Sequence, residues 1–497
     1  MPAGSHWLFG HIKLIYQKDN FPESQYMLNG CANEHGHVGY WIGKTSAISV
    51  ANWKDARTVL MREHHRRSVA IVSYYFQKIL GPKNLLNMNG QEWRLHRGAV
   101  MKTFVDSFLL SSRKDVIHAV GDLVQSLKQR IHSNDGVVEM NIQPLMKMLT
   151  FDVFSRSAFS TDLDCCKTLS GSPISRAFEF LSRDMTERLE KPLHPLHLFY
   201  WLPTERNRKY KKAVELIHNF LDSLLQKSKL SLASSSDQDK NADLLTRLLE
   251  AHRKTLAEQQ DEAIADEMVL DGALKDVMKT LVVAGYDTTS TTLMYSLYLL
   301  SMNPKMQDLC VEEVNSLEDA DLSDPEKLAF CSAVCQEALR LYPPGFQTSR
   351  TLLKPVTLSG EFVVPEGTHI TIPFWVIQRD KNTFVEPESF RPDRWAKKID
   401  GRLGKWIARD YESEKAKPDE SATIPAGNPD AFLSFSAGAR SCPGARFARQ
   451  EAVIALANLL KEIKFRPVPG YQLKLKVQGI LPSPEGGLPL RIEERAG

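Results

Sequence analysis

Residues 435–444 (FSAGARSCPG) place one cysteine in a loop of small residues, directly before a segment of helical periodicity. Pro443 suits a first helical turn, so the pattern predicts a helix that begins beside Cys442. The positive end of a helix dipole favours a thiolate, and a thiolate is a metal ligand. An isolated cysteine before an amphipathic helix is more often a buried, inert thiol. The neighbouring residues decide between these two interpretations.

The residues around Cys442 fit a flat, negatively charged ligand. Gly438 suits the left-handed conformation of a tight turn, Gly444 allows close approach of the backbone, and Arg440 provides a charge for carboxylates. With Phe435, this spacing resembles the haem-binding loop of the cytochrome P-450 superfamily. The resemblance implies haem b as the cofactor, with Cys442 as its iron ligand and the other four residues in the binding loop.

Composition indicates a globular protein that is not a nucleic-acid binder. The chain has 497 residues, 42% hydrophobic and 25% charged, with a formal net charge of only +3. We expect one domain over residues 1–497. The seven cysteines include no CxxC pair, so neither a disulfide framework nor a zinc site is supported. This cysteine usage fits a reducing compartment.

The amino-terminal segment bears on localisation. No run of the sequence approaches the length of a membrane span, and residues 1–11 lack a signal-peptide pattern. They are similar to the Pro/Gly-rich hinge that follows the anchor helix of membrane-bound P-450s. Either such an anchor is missing from this chain or this form never had one. We expect the cytoplasmic face of the endoplasmic reticulum membrane, with a soluble cytoplasmic protein as the alternative.

Helical periodicity dominates the chain, which predicts a mainly α protein with small β-sheets (α+β). Alternation predicts strands at residues 356–358, 362–364 and 368–372. Residues 227–241 are predicted to form a mobile surface loop, and residues 397–429 a charged insertion. The resemblance implies the P-450 fold, with haem between a long distal helix and the helix after Cys442. Because 53 residues follow Gly444 (497 minus 444), too few for a flavin domain, electrons are expected from another protein.

Residues 268–300 are predicted to form one long helix, interrupted by polar side chains around Gly285. Thr288 can hydrogen-bond to the carbonyl of Ala284, and we expect the helix to bulge there and open a polar groove. On the family pattern this segment binds oxygen and cofactor, with Asp287 and Thr288 as the catalytic acid–alcohol pair that supplies protons. Taken alone, these residues could equally be the polar side of a buried helix.

Glu337 and Arg340 lie three residues apart on a predicted helix that Pro343 and Pro344 end, so they share a face. Such pairs are usually solvated. The motif around Arg394 resembles a later family element, apart from Asp393 and Trp395, and implies a structural Glu–Arg–Arg network that supports the haem loop.

Trp93 and Arg97 stand four residues apart on one helical face. In the resembled family this pair hydrogen-bonds a haem propionate, and Arg350 matches a further, less specific propionate contact. A surface cation–π contact is the alternative interpretation of a tryptophan beside an arginine.

Two further sets of residues are predicted from their positions relative to these motifs. An apolar pocket selects lipophilic molecules. The expected substrate-facing residues are Tyr74, Tyr75, Phe76, Leu281, Val282, Phe346, Thr348, Ile480 and Leu481, each of which could equally belong to the core. The expected docking residues for an acidic electron donor are Arg94, Lys102, Arg446 and Arg449, which could equally form a solvated face.

The resemblance implies a haem-thiolate monooxygenase that uses O2 and a lipophilic substrate such as a fatty acid, sterol or terpenoid. Its electrons would come from an NADPH-dependent flavoprotein reductase, with cytochrome b5 or a ferredoxin as further donors, and it would work at a membrane surface. A haem-thiolate isomerase or dehydratase of a lipid peroxide is one alternative. A haem sensor without catalysis is another.

Overall fold

The computed structural model describes residues 21–42, 45–66, 70–190, 199–234, 242–259, 267–398, 406–408, 428–478 and 481–495. The α-helices in these ranges are α1 (Glu23–Asn29), α2 (Trp53–Arg62), α3 (Ala70–Leu80), α4 (Gly90–Met101), α5 (Asp106–His132), α6 (Ile142–Phe159), α7 (Cys165–Thr168), α8 (Pro173–Glu190), α9 (Glu205–Ser234), α10 (Leu244–Gln259), α11 (Glu267–Met302), α12 (Pro304–Asn315), α13 (Ala329–Leu341), α14 (Phe374–Ile377) and α15 (Ala445–Glu462).

The strands form small sheets at the periphery of the helices. They are β1 (His37–Ile42), β2 (Thr45–Val50), β3 (Val137–Asn141), β4 (Thr348–Thr351), β5 (Val356–Leu358), β6 (Phe362–Val364), β7 (His369–Ile372), β8 (Ala396–Lys398), β9 (Trp406–Ala408), β10 (Ile463–Pro467), β11 (Leu475–Gln478), β12 (Leu481–Pro484) and β13 (Pro489–Glu494). The largest described sheet has the order β1-β2-β7-β4, in which β2 and β7 run parallel. A second sheet has the order β10-β13-β3.

The main core surrounds α11, which packs against α6, α13 and α15. Its carboxyl-terminal half is buried nearly all round, from Thr289 to Leu297. A helix that is buried on every face must draw apolar contacts from several neighbours. Helix α6 is buried in the same way, because almost every side chain from Leu145 to Phe159 packs inward. The two helices therefore hold the centre of the molecule rigidly in place.

The structure confirms most of the predicted elements. Strands β5 and β6 have the predicted bounds, and β7 begins one residue later than predicted. Helix α11 begins one residue before the predicted long helix and ends two residues after it. The predicted loop at residues 227–241 is wrong for its first part, because α9 continues to Ser234. Residues 235–241 and most of the insertion at 397–429 lie outside the described residues, as does the hinge at 1–11.

Three buried histidines predict that the fold loses stability in mild acid. His96 and His252 lie 2.9 Å apart between ring nitrogens, and burial lowers the pKa of each, and that of His369, to about 4. The ordinary value is about 6.5, so the unfolded chain binds more protons between these values. Stability should be complete above about pH 6.5 and fall toward pH 4, by on the order of 1–2 kcal/mol per histidine at pH 5.

Urea unfolding of the parent and of His369→Gln at pH 7 and pH 5 measures this effect. The variant should lose less stability on acidification than the parent. Equal losses in the two proteins would contradict the assignment to His369.

Candidate active site

One cavity lies between α11 and the loop that precedes α15. Its walls bring together groups that are far apart in the chain: the cysteine loop, the middle of α11, the end of α13 and the segment before β4. The lining residues used below are Arg66, Trp93, Arg97, Phe104, Phe154, Thr280, Leu281, Ala284, Gly285, Thr288, Thr289, Thr292, Cys335, Gln347, Thr348, Phe435, Arg440, Cys442, Gly444 and Arg449.

The cysteine loop is a tight turn that the sequence dictates locally. Gly438 has φ +69°, and a Cβ there would lie 2.1 Å from the carbonyl oxygen of Leu60, so no larger residue fits. The Cys442 amide donates to the Phe435 carbonyl at 2.8 Å, which closes the turn. Helix α15 begins at Ala445, so Pro443 precedes the helix instead of occupying its first turn.

Cys442 lies on the cavity wall, where it is exposed to the cavity. Burial raises the pKa of the Cys442 thiol, while a backbone hydrogen bond from Gly444 and the charges of Arg97 and Arg449 lower it, in that order of size. A metal ion bound to the sulfur would favour the thiolate, so the expected thiolate at Cys442 stays a prediction.

Arg66, Arg350 and Arg440 form a cluster of cations, in which Arg350 is buried while Arg66 and Arg440 are half-buried and line the cavity. Thr348 Oγ1 accepts from Arg66 Nη2 at 3.1 Å and from Arg350 Nη1 at 3.2 Å, so it joins two guanidinium groups. Burial and the neighbouring arginines lower the pKa values of Arg350 and Arg440 to about 9. Arg350 Nη2 is buried without a hydrogen-bond partner among the described residues. Clustered cations with a free donor form a site for an anion.

Trp93 lies inside this cluster and is buried. The Arg440 guanidinium carbon stands 3.8 Å from the Trp93 ring centroid, and the His64 ring is stacked with the Trp93 ring at a centroid distance of 5.9 Å. Arg97 Nη2 donates to the Ser441 carbonyl at 2.5 Å. The cation–π partner of Trp93 is thus Arg440, which is half-buried, while Trp93 itself is buried.

These residues fit haem. The donor set matches a ligand that has two carboxylates on its rim and a metal ion at its centre. The wall holds Trp93, one thiol and four arginines, which are Arg66, Arg97, Arg440 and Arg449, and Arg350 belongs to the same arginine cluster. Gly444 leaves space beside the thiol, since a Cβ there would come no closer than 3.8 Å to Phe104.

The Glu337, Arg340 and Arg394 side chains are in contact and fully buried. Glu337 accepts from Arg340 Nε at 2.9 Å and Nη2 at 2.8 Å, and from Arg394 Nε at 3.0 Å. Trp395 Nε1 adds a fourth side-chain donor at 2.7 Å. In the sequence, Trp395 is only a departure from the family pattern. In the structure, its indole N–H completes the hydrogen bonds to Glu337.

The polar segment of α11 differs from its prediction in two respects. Thr288 lines the cavity and donates to the Ala284 carbonyl at 2.7 Å, as predicted, but the helix stays regular and the expected bulge is absent from α11. Gly285 makes room for Phe154, whose ring would lie 2.6 Å from a Cβ at this position. Its absent side chain therefore serves helix packing between α11 and α6.

Asp287 points away from the cavity wall toward α6. Its carboxylate pairs with Lys147 at 3.1 Å, and both side chains are largely buried. Burial lowers the pKa of Lys147, but Asp287 and Glu179 together outweigh it, so the net direction is upward. Lys147 is therefore a cation held next to Asp287. Asp287 and Thr288, predicted as one pair, face different surroundings.

The predicted substrate-facing residues divide into two groups. Leu281 and Thr348 line the cavity. Six others are placed elsewhere in the described structure: Tyr74, Tyr75, Phe76, Val282, Phe346 and Leu481. Phe346 packs on Phe21 with a centroid distance of 5.1 Å, which points it away from the cavity. Ile480 lies outside the described residues.

Sequence reasoning missed Arg66, Lys147, Gln347 and Thr280. Alternation of side chains in an extended segment would have excluded Gln347, because its neighbour Thr348 also lines the cavity. Thr280 lies eight residues before Thr288, about 80° away around the helix, so a broad cavity can contact both. No sequence signal indicates Arg66 or Lys147, because their partners are distant in the chain.

A comparison with protein families matches the Cytochrome P450 model over residues 1–489. The chain belongs to the cytochrome P450 family. Similar curated proteins include Cytochrome P450 4F3 of Rattus norvegicus, 26% identical over 99% of this chain and 88% of that protein, and Leukotriene-B4 omega-hydroxylase 3 of Mus musculus, with the same identity and shares. Cytochrome P450 4X1 of Homo sapiens is 24% identical over 99% of this chain and 89% of its own length.

Membership in the P450 family makes this chain a haem-dependent oxidoreductase that incorporates molecular oxygen, with haem b as its prosthetic group and NADPH used through a reductase. The mainly α fold with small sheets agrees with that family. Within the described ranges, no helix has the length and apolar character needed to cross a bilayer.

Proposed function

We propose that this P450 hydroxylates a lipophilic substrate of the fatty-acid, sterol or terpenoid type with electrons from an NADPH-dependent flavoprotein reductase. The observation that carries the proposal is one cavity whose wall holds the Cys442 thiol, a cluster of arginines and the Thr288 hydroxyl. The leukotriene hydroxylase among its relatives supports a lipid substrate. When bound, haem supplies the activation of O2 for insertion of one oxygen atom into a C–H bond.

In this proposal the chain holds the cofactor by two kinds of contact. Cys442 ligates the iron, and Trp93, Arg97, Arg350 and Arg440 bind the rim carboxylates. Phe435, Gly438 and Gly444 shape the loop. The arginine cluster supports this assignment, because buried like charges are stabilised by an anion between them.

Proton delivery is proposed for the polar segment of α11. The Thr288 hydroxyl stands on the cavity wall, where it can position a water molecule close to the reacting oxygen. Asp287 is held by Lys147 at 3.1 Å, and the exposed Glu179 also acts electrostatically on Lys147. Protons would enter from solvent along these side chains.

Thr288→Ala tests this function. We expect reductase-dependent NADPH consumption to continue while less of it yields hydroxylated product and more yields hydrogen peroxide, because proton delivery is impaired and binding is not. Thr289→Ala should have a milder effect, since it is displaced by about 100° around the helix. The measurement is product and peroxide per NADPH consumed. An unchanged ratio in Thr288→Ala would place proton delivery elsewhere.

Lys147→Met tests the solvent side of the same path. Removal of the cation leaves Asp287 partly buried without its partner, so product formed per NADPH should fall, by less than in Thr288→Ala. Lys147→Arg keeps the charge and is the matched control. Equal coupling in Lys147→Met and the parent would show that this pair is only structural.

The alternatives make different predictions for the parent protein. A lipid-peroxide isomerase or a haem sensor would not consume NADPH when supplied with a reductase and a broad lipophilic panel. Absence of reductase-driven turnover across such a panel would therefore favour them.

Partner surfaces are part of the proposal. Arg94, Lys102 and Arg446 are exposed, and Arg449 stacks on Phe435 at 4.8 Å, so an acidic donor could dock near Cys442. A membrane surface is supported by exposed Trp201, 70% accessible, beside Phe199. We propose the cytoplasmic face of the endoplasmic reticulum membrane.

A further inference from the structure

The cavity face of α11 carries a row of residues at four-residue intervals. Thr280, Ala284, Thr288 and Thr292 all line the cavity. Eight residues separate Thr280 from Thr288, which corresponds to about 12 Å along the helix axis. Among the described α11 residues that line the cavity before Thr288, Thr280 is the one with a polar side chain. A polar group at this place is remote from the proposed reaction centre.

The hydrogen bonds of Thr280 determine what it can recognise. The Thr280 hydroxyl donates to the Asp276 carbonyl at 2.8 Å. Its one hydrogen is therefore already in a hydrogen bond, while the lone pairs of its oxygen can still accept one. Asp276 is fixed in turn, because its carboxylate pairs with Lys279 at 2.7 Å and accepts from the Lys83 amide at 2.9 Å. Thr280 is only 4% exposed. It is therefore a positioned, buried acceptor at the edge of the cavity.

We infer that Thr280 accepts a hydrogen bond from a hydroxyl group of the substrate, and that the substrate class is a lipophilic alcohol. This inference rests on the proposed function and narrows its substrate. A hydroxyl is the neutral group that donates to such an acceptor while the rest of the molecule stays apolar. The hydroxyl at Thr280 would hold the substrate so that a carbon about 12 Å away along α11 lies beside Thr288.

Other polar head groups fit Thr280 less well. An ionised carboxylate has no hydrogen to donate and would lie against the oxygen lone pairs. An ammonium group could donate, but its buried charge would need a carboxylate, and that of Asp276 is paired with Lys279. Arg440, which could bind an acid, is assigned to the cofactor carboxylates, and Arg66 donates to Thr348 within the same arginine cluster.

An optical titration of the ferric, haem-loaded protein tests the inference. The probes are a long-chain primary alcohol, its methyl ether, and the carboxylic acid of equal chain length. In the parent, the alcohol should bind about three- to tenfold more tightly than the ether, the gain expected from one neutral hydrogen bond. Thr280→Val, which keeps the side-chain shape, should abolish this preference, and Thr280→Ser should retain it.

Several outcomes would overturn the inference. The first is that the acid binds the parent as tightly as the alcohol does. The second is that the preference for alcohol over ether persists in Thr280→Val. If that preference is instead lost in Gln347→Leu, Gln347 is the residue that binds the hydroxyl. A protein that takes up no haem would overturn the proposed function and this inference with it. A haem-loaded protein that does not distinguish alcohol from ether overturns the inference alone.

Discussion

Replacement of Cys442 by serine should abolish the red-shifted absorption of the carbon monoxide complex of the reduced protein. That absorption requires a thiolate opposite the carbon monoxide, and a serine hydroxyl does not supply one. The loss of this absorption should be complete, because the serine variant has no sulfur atom at position 442. The measurement is the difference spectrum of the reduced protein with and without carbon monoxide, at equal haem content.

Cys335→Ser is the matched control, since Cys335 also lines the cavity. Burial raises the pKa of the Cys335 thiol to about 12, which makes it a poor source of thiolate. Its loss should leave the spectrum intact. A normal spectrum in Cys442→Ser, or a lost one in Cys335→Ser, would contradict the assignment of the iron ligand.

The parts of the site that could be predicted depend on short segments of chain. The turn at Gly438 requires a positive φ, and the contact of Glu337 with Arg340 follows from helical spacing. Such features are local, so sequence carries them directly. The same holds for β5 and β6, whose bounds follow from alternation and turn residues.

The parts that could not be predicted depend on contacts between distant segments. Thr348 lines the cavity, as expected, but the sequence does not indicate that its hydroxyl accepts from Arg66, which is 282 positions away in the chain. The pairing of Asp287 with Lys147 joins α11 to α6. Tertiary packing decides each of these, and a motif alone does not encode it.

Replacement of Glu337 by alanine should yield mainly haem-free or misfolded protein. Glu337 is the acceptor for two buried guanidinium groups, and both would remain in the interior without a carboxylate. Breaking a buried pair in this way costs about 3–5 kcal/mol, a large fraction of the roughly 5–15 kcal/mol that stabilises a typical protein.

The effect should reach the cysteine loop through a specific path. Arg340 Nη1 donates to the Gln378 carbonyl at 2.8 Å, and Gln378 Oε1 accepts from the Leu433 amide at 2.8 Å, just before the loop. A displaced Arg340 would therefore loosen the segment that presents Cys442, so haem should be lost more readily than helical structure. The measurement is haem bound per protein, together with the far-ultraviolet circular dichroism spectrum.

Glu386→Ala provides the control, because the Glu386 side chain is 59% exposed and pairs with Arg391 at the surface. An exposed pair contributes about 0–1 kcal/mol, so this variant should retain haem. Arg394→Ala should resemble Glu337→Ala, since it removes one of the two arginine partners that the carboxylate holds. Normal haem content in both Glu337→Ala and Arg394→Ala would show that the network does not support the loop, whatever its burial.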